Sequence, residues 1–191
     1  MKKPTMNKTW RTGLAVLTAA IGVPIAASAE ELLSEKDALK HAFPEATAVS
    51  SQWTALTSNQ MARIGRTIKG PQVPTVLQYH TATTNGDATG YAIVHTVAGK
   101  HGPIRLLVAT TPELAVRRTE ILAFRERRGQ PVRDRSFLSQ FAGKTLADGF
   151  ALRSDIDGVT GATISSRAVA QGVREALVFL GVLTDQTEEH E

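Results

Sequence analysis

Apolar residues recur every three or four positions in several stretches of the chain, a spacing that predicts amphipathic helices. The first stretch follows Ser34, a candidate N-cap, and stops before Pro44. Another runs from Thr57 to Gly70, and a short one, DRSFLSQFAGK, covers residues 134–144. We therefore expect three helices before the C-terminal part of the chain.

The most regular helical pattern lies near the C-terminus. It starts at Ser165, and we expect Gly181 to end it. Its apolar stripe is formed by Val169, Val173, Ala176, Leu177 and Leu180. This helix should pack its stripe against the rest of the domain.

Elsewhere the pattern is alternating and β-branched, which predicts strands. Asn85-Gly86 is a hairpin signal between two of them. One further stretch, LAVRRTEILAFRE, is a strand candidate whose length leaves a helix possible. The other expected strands are ATAVSSQWTAL (46–56), TVLQYHTAT (75–83), TGYAIVHTVAG (89–99), PIRLLVATT (103–111) and GFALRSDID (149–157). Together with the helices they predict one α+β domain of two layers, a mainly antiparallel sheet with packed helices.

The first 29 residues stand apart from this pattern. Four basic residues precede an uncharged apolar run from Gly13 to Ala26, and Ala27-Ser28-Ala29 matches a cleavage signal. We expect a signal peptide over residues 1–29 and a periplasmic or other extracytoplasmic location, with an uncleaved membrane anchor as the alternative. The folded domain is then expected over residues 30–183, followed by a polar tail over 184–191.

Charge and composition narrow the function. Outside residues 1–29 the chain carries 18 basic and 18 acidic side chains, so no whole-protein argument for nucleic acid binding remains. The arginine-rich stretch from Arg117 to Arg135 is either a solvated face or a docking surface for an acidic redox partner. The absence of cysteine excludes thiol chemistry, iron–sulfur clusters and cysteine zinc sites, and the scattered histidines give no metal-ligand spacing.

The ten residues before the last helix, DGVTGATISS (157–166), are unusually rich in glycine and hydroxyl groups. A turn and a helix cap by Thr163, Ser165 or Ser166 would explain part of this composition. The surplus hydroxyls also suit a phosphate, because a helix N-terminus presents unpaired N–H groups and a positive dipole end. The segment lacks the lysine of a P-loop, which argues against a nucleotide triphosphatase.

This segment resembles the flavinylation motif of FMN-binding domains similar to the G subunit of the Rnf complex and the C subunit of the sodium-pumping NADH:quinone reductase. The segments 90–110 and 124–144 are also similar to that family. The resemblance implies that FMN is bound covalently through a phosphoester on Thr163, with Asp157 as the motif acid and Thr160-Gly161-Ala162 as the motif core. A separate flavin transferase, which uses FAD and a divalent metal, would attach it.

The resemblance also suggests roles for neighbouring residues. Gly161 and Ala162 would leave room for the phosphate and for the transferase. Ser165 and Ser166 would hydrogen-bond phosphate oxygens or cap the helix, and Arg125 or Glu126 would lie beside the flavin.

The resemblance favours an exported FMN-carrying electron carrier, in which FMN supplies the redox chemistry because no natural side chain of this chain performs reversible electron transfer well. A stand-alone enzyme is less favoured, because no stretch of the sequence looks like a substrate-pocket motif. The carrier's partners would be membrane or periplasmic redox proteins. The longer transmembrane anchor of respiratory-complex subunits is not expected here, which favours a free or loosely attached carrier. Two alternatives stay open, a flavin-dependent reductase with its own small substrate and a non-catalytic FMN-binding sensor module.

Overall fold

The structure, a computed structural model, describes residues 30–68, 73–125 and 130–185. The predicted signal peptide and most of the polar tail lie outside these ranges. The elements are β1 (Glu30–Glu31), α1 (Glu35–Ala42), β2 (Ala48–Ala55), α2 (Ser58–Thr67), β3 (Val76–Thr84), β4 (Asp87–Ala98), β5 (Pro103–Thr110), β6 (Val116–Phe124), a 3-10 turn (Gln130–Arg133), α3 (Arg135–Leu138), a second 3-10 turn (Ser139–Phe141) and α4 (Thr163–Thr184).

The strands form one antiparallel sheet in the order β1-β6-β5-β4-β3-β2. Asn85 and Gly86 both have positive φ, 56° and 96°, and form the two-residue turn between β3 and β4 that the Asn-Gly pair predicts. The ambiguous stretch around residues 116–124 is a strand because it pairs with both β5 and β1. The predicted α+β fold with a mainly antiparallel sheet is confirmed.

Helices pack on both faces of the sheet. The apolar side of α4 packs over β4 and β5, with α2 beside it. On the opposite face, Ala38 and Ala42 of α1 contact a smaller apolar cluster that includes Leu107 and Leu122. The helix α1 therefore adds a partial third layer to the two layers expected from the sequence.

The last helix is longer than expected. It begins at Thr163, two residues before Ser165, and it passes through Gly181 to Thr184. The prediction that Gly181 ends it is wrong, because Val182 and Leu183 are buried and their packing outweighs the modest helix cost of a glycine. No helix within the described ranges is both long enough and apolar enough to cross a membrane.

Two stretches near the motif also differ from expectation. The predicted short helix over 134–144 consists of α3 and a 3-10 turn, which still bury Phe137, Leu138 and Phe141. The predicted strand over 149–157 is wrong, because this stretch folds into a compact turn with a single bridge between residues 152 and 156. The Asp155 carboxylate accepts a hydrogen bond from the Ala151 N–H at 2.9 Å, a side-chain bond of the kind that competes with strand pairing.

Candidate functional site

The motif loop connects the 151–156 turn to α4 and is anchored at both ends. Ile156 and Ala162 are buried in the main core, whereas Thr160, Gly161 and Thr163 are exposed. The sequence placed Ala162 among the residues that leave room for a phosphate. The Ala162 methyl group instead packs inward and anchors the loop. The exposed surface of the loop is formed by the residues on either side of Ala162.

The side chain of Gln140 holds the start of the motif. The Asp157 backbone N–H donates to Gln140 Oε1 at 2.7 Å, and Gln140 Nε2 donates to the Asp157 carbonyl at 3.2 Å. Gln140 lies in the 3-10 turn after α3, so the two segments that resemble the family are physically joined here. Asp157 itself is exposed to solvent.

The serines of the motif face inward. Ser165 and Ser166 are both buried, and Ser166 Oγ accepts a hydrogen bond from the Val159 N–H at 3.0 Å. Ser166 therefore closes the loop from inside. The expectation that Thr163, Ser165 or Ser166 is the N-cap of α4 is wrong, because Ala162 holds that position and has no side-chain cap hydrogen bond.

The N-terminus of α4 is open towards the motif. Its first intrahelical bond runs from the Ser166 N–H to the Ala162 carbonyl at 2.9 Å, and the N–H groups of the preceding turn have no partner within the helix. Gly161 has φ of 77°, and a Cβ atom at this position would meet nothing within 4 Å. An exposed threonine hydroxyl, a positive dipole end and unobstructed backbone thus meet at Thr163.

Arg125 lies at the same end of the sheet as Thr163. Along α4, Gly172 packs on Val97 and Phe179 lies farther back along β4 against His95, so the N-terminus of α4 points towards the β4–β5 turn. Arg125 follows the end of β6, and its side chain packs against Gly102 of that turn. Glu126, the other residue expected beside a flavin, lies outside the described residues.

The described side chains of the arginine-rich stretch have different surroundings. Arg118 is paired with Glu120 at 2.5 Å, and the Arg117 guanidinium lies 5.7 Å from the centre of the Phe43 ring. Arg133 and Arg135 lie in the elements around α3, and residues 126–129 are outside the described ranges. In the described part of the stretch, these side chains are therefore distributed over different parts of the molecule.

A groove of about 800 Å³ follows α4, but no motif residue lines it. Within it, His95 Nε2 lies 2.7 Å from a Glu175 carboxylate oxygen, and Gln171 donates to the other oxygen at 2.8 Å. Burial raises the pKa of Glu175, but these two hydrogen bonds, together with the charges of His95 and Arg174, hold the pKa below its ordinary value. Among the described residues no group of three His, Cys, Asp or Glu side chains is placed to hold a metal ion.

Sequence reasoning missed the two side chains that shape the loop. Gln140 was noticed only as part of a segment that resembles the family, and Ser166 was assigned to a phosphate or a cap. Gln140 lies 17 residues before Asp157, and Ser166 lies seven residues after Val159. Neither spacing predicts a contact in the sequence, because the contact forms only when the chain folds.

Comparisons with known proteins match the part of the chain that contains the motif loop. A family model described as "FMN-binding domain" matches residues 99–178, a range that includes the motif loop and every residue predicted for the site. The chain is 32% identical over 119 residues to the G subunit of an ion-translocating oxidoreductase complex from Vibrio vulnificus, and the match covers 56% of each chain. It is 25% identical to the G subunit of the complex of the same name from Methanosarcina acetivorans, over 87% of this chain and 86% of the relative. The matched region thus spans little more than half of the Vibrio relative.

Solved structures share the fold. The NqrC crystal structure from Shewanella oneidensis superposes with a TM-score of 0.55 at 15% identity, over 78% of this chain and 88% of that one. The C subunit of the Na⁺-translocating NADH-quinone reductase from Parabacteroides distasonis gives a TM-score of 0.54 at 13% identity, over 80% of this chain and 85% of that one.

Proposed function

Because residues 99–178 belong to the FMN-binding domain family, we propose that this protein is an exported flavoprotein that carries FMN covalently on Thr163 and transfers electrons outside the cytoplasm. The observation that carries the proposal is the exposed Thr163 at the open N-terminus of α4, inside the matched range. An exposed hydroxyl at the N-terminus of a helix is what a phosphoester at this position requires.

The residues present fit a flavin phosphate. The N–H groups of the first turn of α4 would donate to phosphate oxygens, and the helix dipole would stabilise the negative charge of the diester. Gly161 leaves space for these oxygens, since a Cβ there would meet nothing within 4 Å. Ser166 and Gln140 would keep the loop in this shape, from inside and from the side respectively.

Attachment needs an enzyme, because an unassisted threonine hydroxyl is a weak nucleophile. In the proposed step, Thr163 Oγ bonds to the FMN phosphorus of FAD, the pyrophosphate bond breaks, AMP leaves and the hydroxyl proton passes to a base of the flavin transferase. The exposed Asp157 carboxylate is available for recognition by that transferase.

When bound, FMN supplies one- and two-electron transfer that the side chains of this protein cannot supply. The protein would hold the phosphate at Thr163 and offer an apolar surface beside it. The exposed Ile164 follows the acceptor directly, and Leu152 lies next to Gly158 of the loop. Arg125 lies at the same end of the sheet, where a positive charge would favour an anionic reduced flavin and raise its reduction potential.

The sequence and the relatives support a proposal for the location and the partners. The basic and apolar segment 1–29 supports export, and a covalent bond prevents loss of the cofactor where free flavin is scarce. The two curated relatives are named as subunits of ion-translocating oxidoreductase complexes. We therefore propose redox partners that are membrane complexes of this class or periplasmic proteins that exchange electrons with them.

The experiment that tests the proposal is mass spectrometry of the protein produced with and without a flavin transferase, supported by flavin fluorescence in a denaturing gel. We expect an FMN phosphate on the peptide that contains Thr163. Thr163→Ala should abolish it, and Thr163→Ser should retain it because the hydroxyl remains. Since the Thr163 side chain is exposed and caps nothing, the stability of Thr163→Ala should stay within about 0.5 kcal/mol of the parent protein.

Thr160→Ala serves as the matched control, because Thr160 is equally exposed three residues earlier. Retained covalent flavin in Thr163→Ala, or its loss only in Thr160→Ala, would show that the acceptor is another residue. Turnover of the loaded protein with a small substrate in the absence of a protein partner would favour the reductase alternative.

A further inference from the structure

The strand β2 forms a long free edge of the sheet. It pairs with β3 on one side, and no strand among the described residues pairs with its other side. Its eight residues, AVSSQWTA, include no charged residue and no proline, and its register with β3 runs without a bulge. Charges, prolines and bulges are the features by which most proteins protect an edge strand from pairing, and β2 has none of them.

The backbone groups on this edge belong to the odd-numbered residues. The Leu56 N–H donates to the Thr75 carbonyl at 2.8 Å, so Leu56 is bonded to the β3 side. Because the bonding direction alternates along an antiparallel strand, the even-numbered residues of β2 face β3. The N–H and carbonyl groups of Val49, Ser51 and Trp53 therefore point away from the sheet.

The side chains of the same residues lie on the face that carries α1. Ser51 Oγ is 2.9 Å from His80 Nδ1, and His80 Nε2 is 3.2 Å from a Glu35 oxygen of α1. Alternation places Val49 and Trp53 on this face as well. Both are exposed, by 39% and 70% respectively, which is unusual for two large apolar side chains on one short strand.

An apolar groove lies beside Val49. It has a volume of about 870 Å³ and separates α1 from β2. Its walls include Leu39, Phe43, Pro44 and Val49, with Lys36 and Lys40 of α1 also lining it. An indole ring would suit this groove. The faces of the ring are apolar, and their negative charge density attracts ammonium groups such as those of the two lysines.

From this geometry we infer that β2 pairs with β2 of a second copy of this chain, antiparallel and centred on Ser51. In this register Ser51 lies opposite Ser51 of the second copy, and each Trp53 lies opposite Val49 of the other copy. Both residues of each pair are odd-numbered, so their backbone groups point at each other as the ladder requires. The two-fold symmetry places each Trp53 beside the apolar groove of the other copy, where it fits the space next to Val49.

Charge and area support a second copy as the occupant. The edge carries no charge that would repel an identical strand. Two buried tryptophans supply roughly 300–500 Å², and the two strand edges and groove walls would have to supply the rest of the about 1,200 Å² at the lower limit of a stable interface. An interface near this lower limit predicts a reversible dimer.

The register can be tested with single cysteines, since the chain contains none. Opposite residues of a bonded antiparallel pair have Cα atoms about 5.5 Å apart, within the range for a disulfide. We expect Ser51→Cys to form a disulfide dimer under mild oxidation of the purified full chain. Ser50→Cys is the matched control, because Ser50 lies opposite Gln52 of the second copy and the two Ser50 Cα atoms would be about 7–8 Å apart.

The dimer itself is tested by sedimentation velocity over a concentration series, without flavin and with it. We expect reversible dimerisation, a dimer dissociation constant raised at least about ten-fold by Trp53→Ser, and no change beyond two-fold in Leu146→Ser, which removes an exposed apolar side chain elsewhere. A chain that stays monomeric at all concentrations, a dimer insensitive to Trp53→Ser, or equal cross-linking of Ser50→Cys and Ser51→Cys would each overturn the inference. None of these readouts depends on flavin attachment.

Discussion

At the scale of single residues, the candidate site depends on side chains that hold the loop beside the proposed acceptor, Thr163. Gln140 bonds both backbone groups of Asp157, and Ser166 bonds the Val159 N–H from inside the fold. The loop is thus fixed at its start and its middle, while Thr163 remains exposed. A transferase would meet a preformed loop instead of a flexible one, which lowers the cost of recognition.

We predict that Gln140→Ala slows flavin attachment and lowers the free energy of unfolding by about 1–3 kcal/mol, since two hydrogen bonds of about 0.5–1.5 kcal/mol each are lost. The extent of attachment is measured by mass spectrometry at fixed times with the transferase, and stability by urea unfolding. Gln171→Ala is the control, because its amide bonds Glu175 on α4 and not the motif. Attachment to Gln140→Ala at the rate of the parent protein would contradict the role of this clamp.

At the scale of elements, the position of α4 on the sheet is set by a close approach at Gly172. A Cβ at this residue would lie 2.9 Å from Val97 Cγ1 and 3.1 Å from Leu106 Cδ2. At Gly181, farther along the helix, the nearest atom would be Leu114 Cδ1 at 3.6 Å, an ordinary contact. The two glycines of the same helix therefore differ in the space around them.

We predict opposite effects for the same substitution at these positions. Gly172→Ala should destabilise the protein by about 1–3 kcal/mol, because the buried side chains of Val97 and Leu106 must shift to admit the methyl group. Gly181→Ala should be neutral or stabilising by up to about 1 kcal/mol, because alanine favours the helix. Denaturant unfolding of both variants measures the difference, and equal destabilisation would mean that α4 is not held against the sheet at Gly172.

At the scale of the whole molecule, two buried titratable groups link stability to pH. His80 is 2% exposed and lies between Ser51 and Glu35, whose other oxygen is 2.6 Å from Arg105. Burial lowers the pKa of His80, and the neighbouring Glu35 carboxylate opposes this effect without cancelling it. The pKa of Glu175 is also lowered on the opposite face of the sheet.

Both shifts predict a loss of stability in acid. Below pH 6.5, His80 is protonated in the unfolded chain, whereas the folded chain resists its protonation. The free energy of unfolding therefore falls as the pH falls. Below pH 4.5 the stabilisation associated with the low pKa of Glu175 is lost in the same way. We expect the melting temperature to fall from pH 7.5 to pH 5, and to fall less in His80→Gln when each variant is compared with its own value at pH 7.5. A constant or rising melting temperature over this interval would contradict the prediction.

Elements whose signals lie in neighbouring residues could be predicted from the sequence, whereas elements decided by tertiary packing could not. The alternation of β3 to β6, the Asn85-Gly86 turn and the Ser34 cap are local signals, and each is found in the structure. The C-terminal end of α4 and the 149–157 stretch were predicted wrongly. In the first case burial of Val182 and Leu183 extended the helix, and in the second the Asp155 carboxylate bonded the backbone of a turn.

The sequence by itself determined the fold class and the motif, because periodicity and a contiguous ten-residue pattern are properties of neighbouring residues. The candidate acceptor, Thr163, followed from the resemblance of that motif to the FMN-binding family. Only the tertiary structure decided that Ala162, Ser165 and Ser166 face the core while Thr163 faces solvent, that Gln140 holds Asp157, and that Val49 and Trp53 share an open edge. These facts depend on which residues distant in the chain come together, and on the direction in which a strand or helix presents each side chain once it is packed.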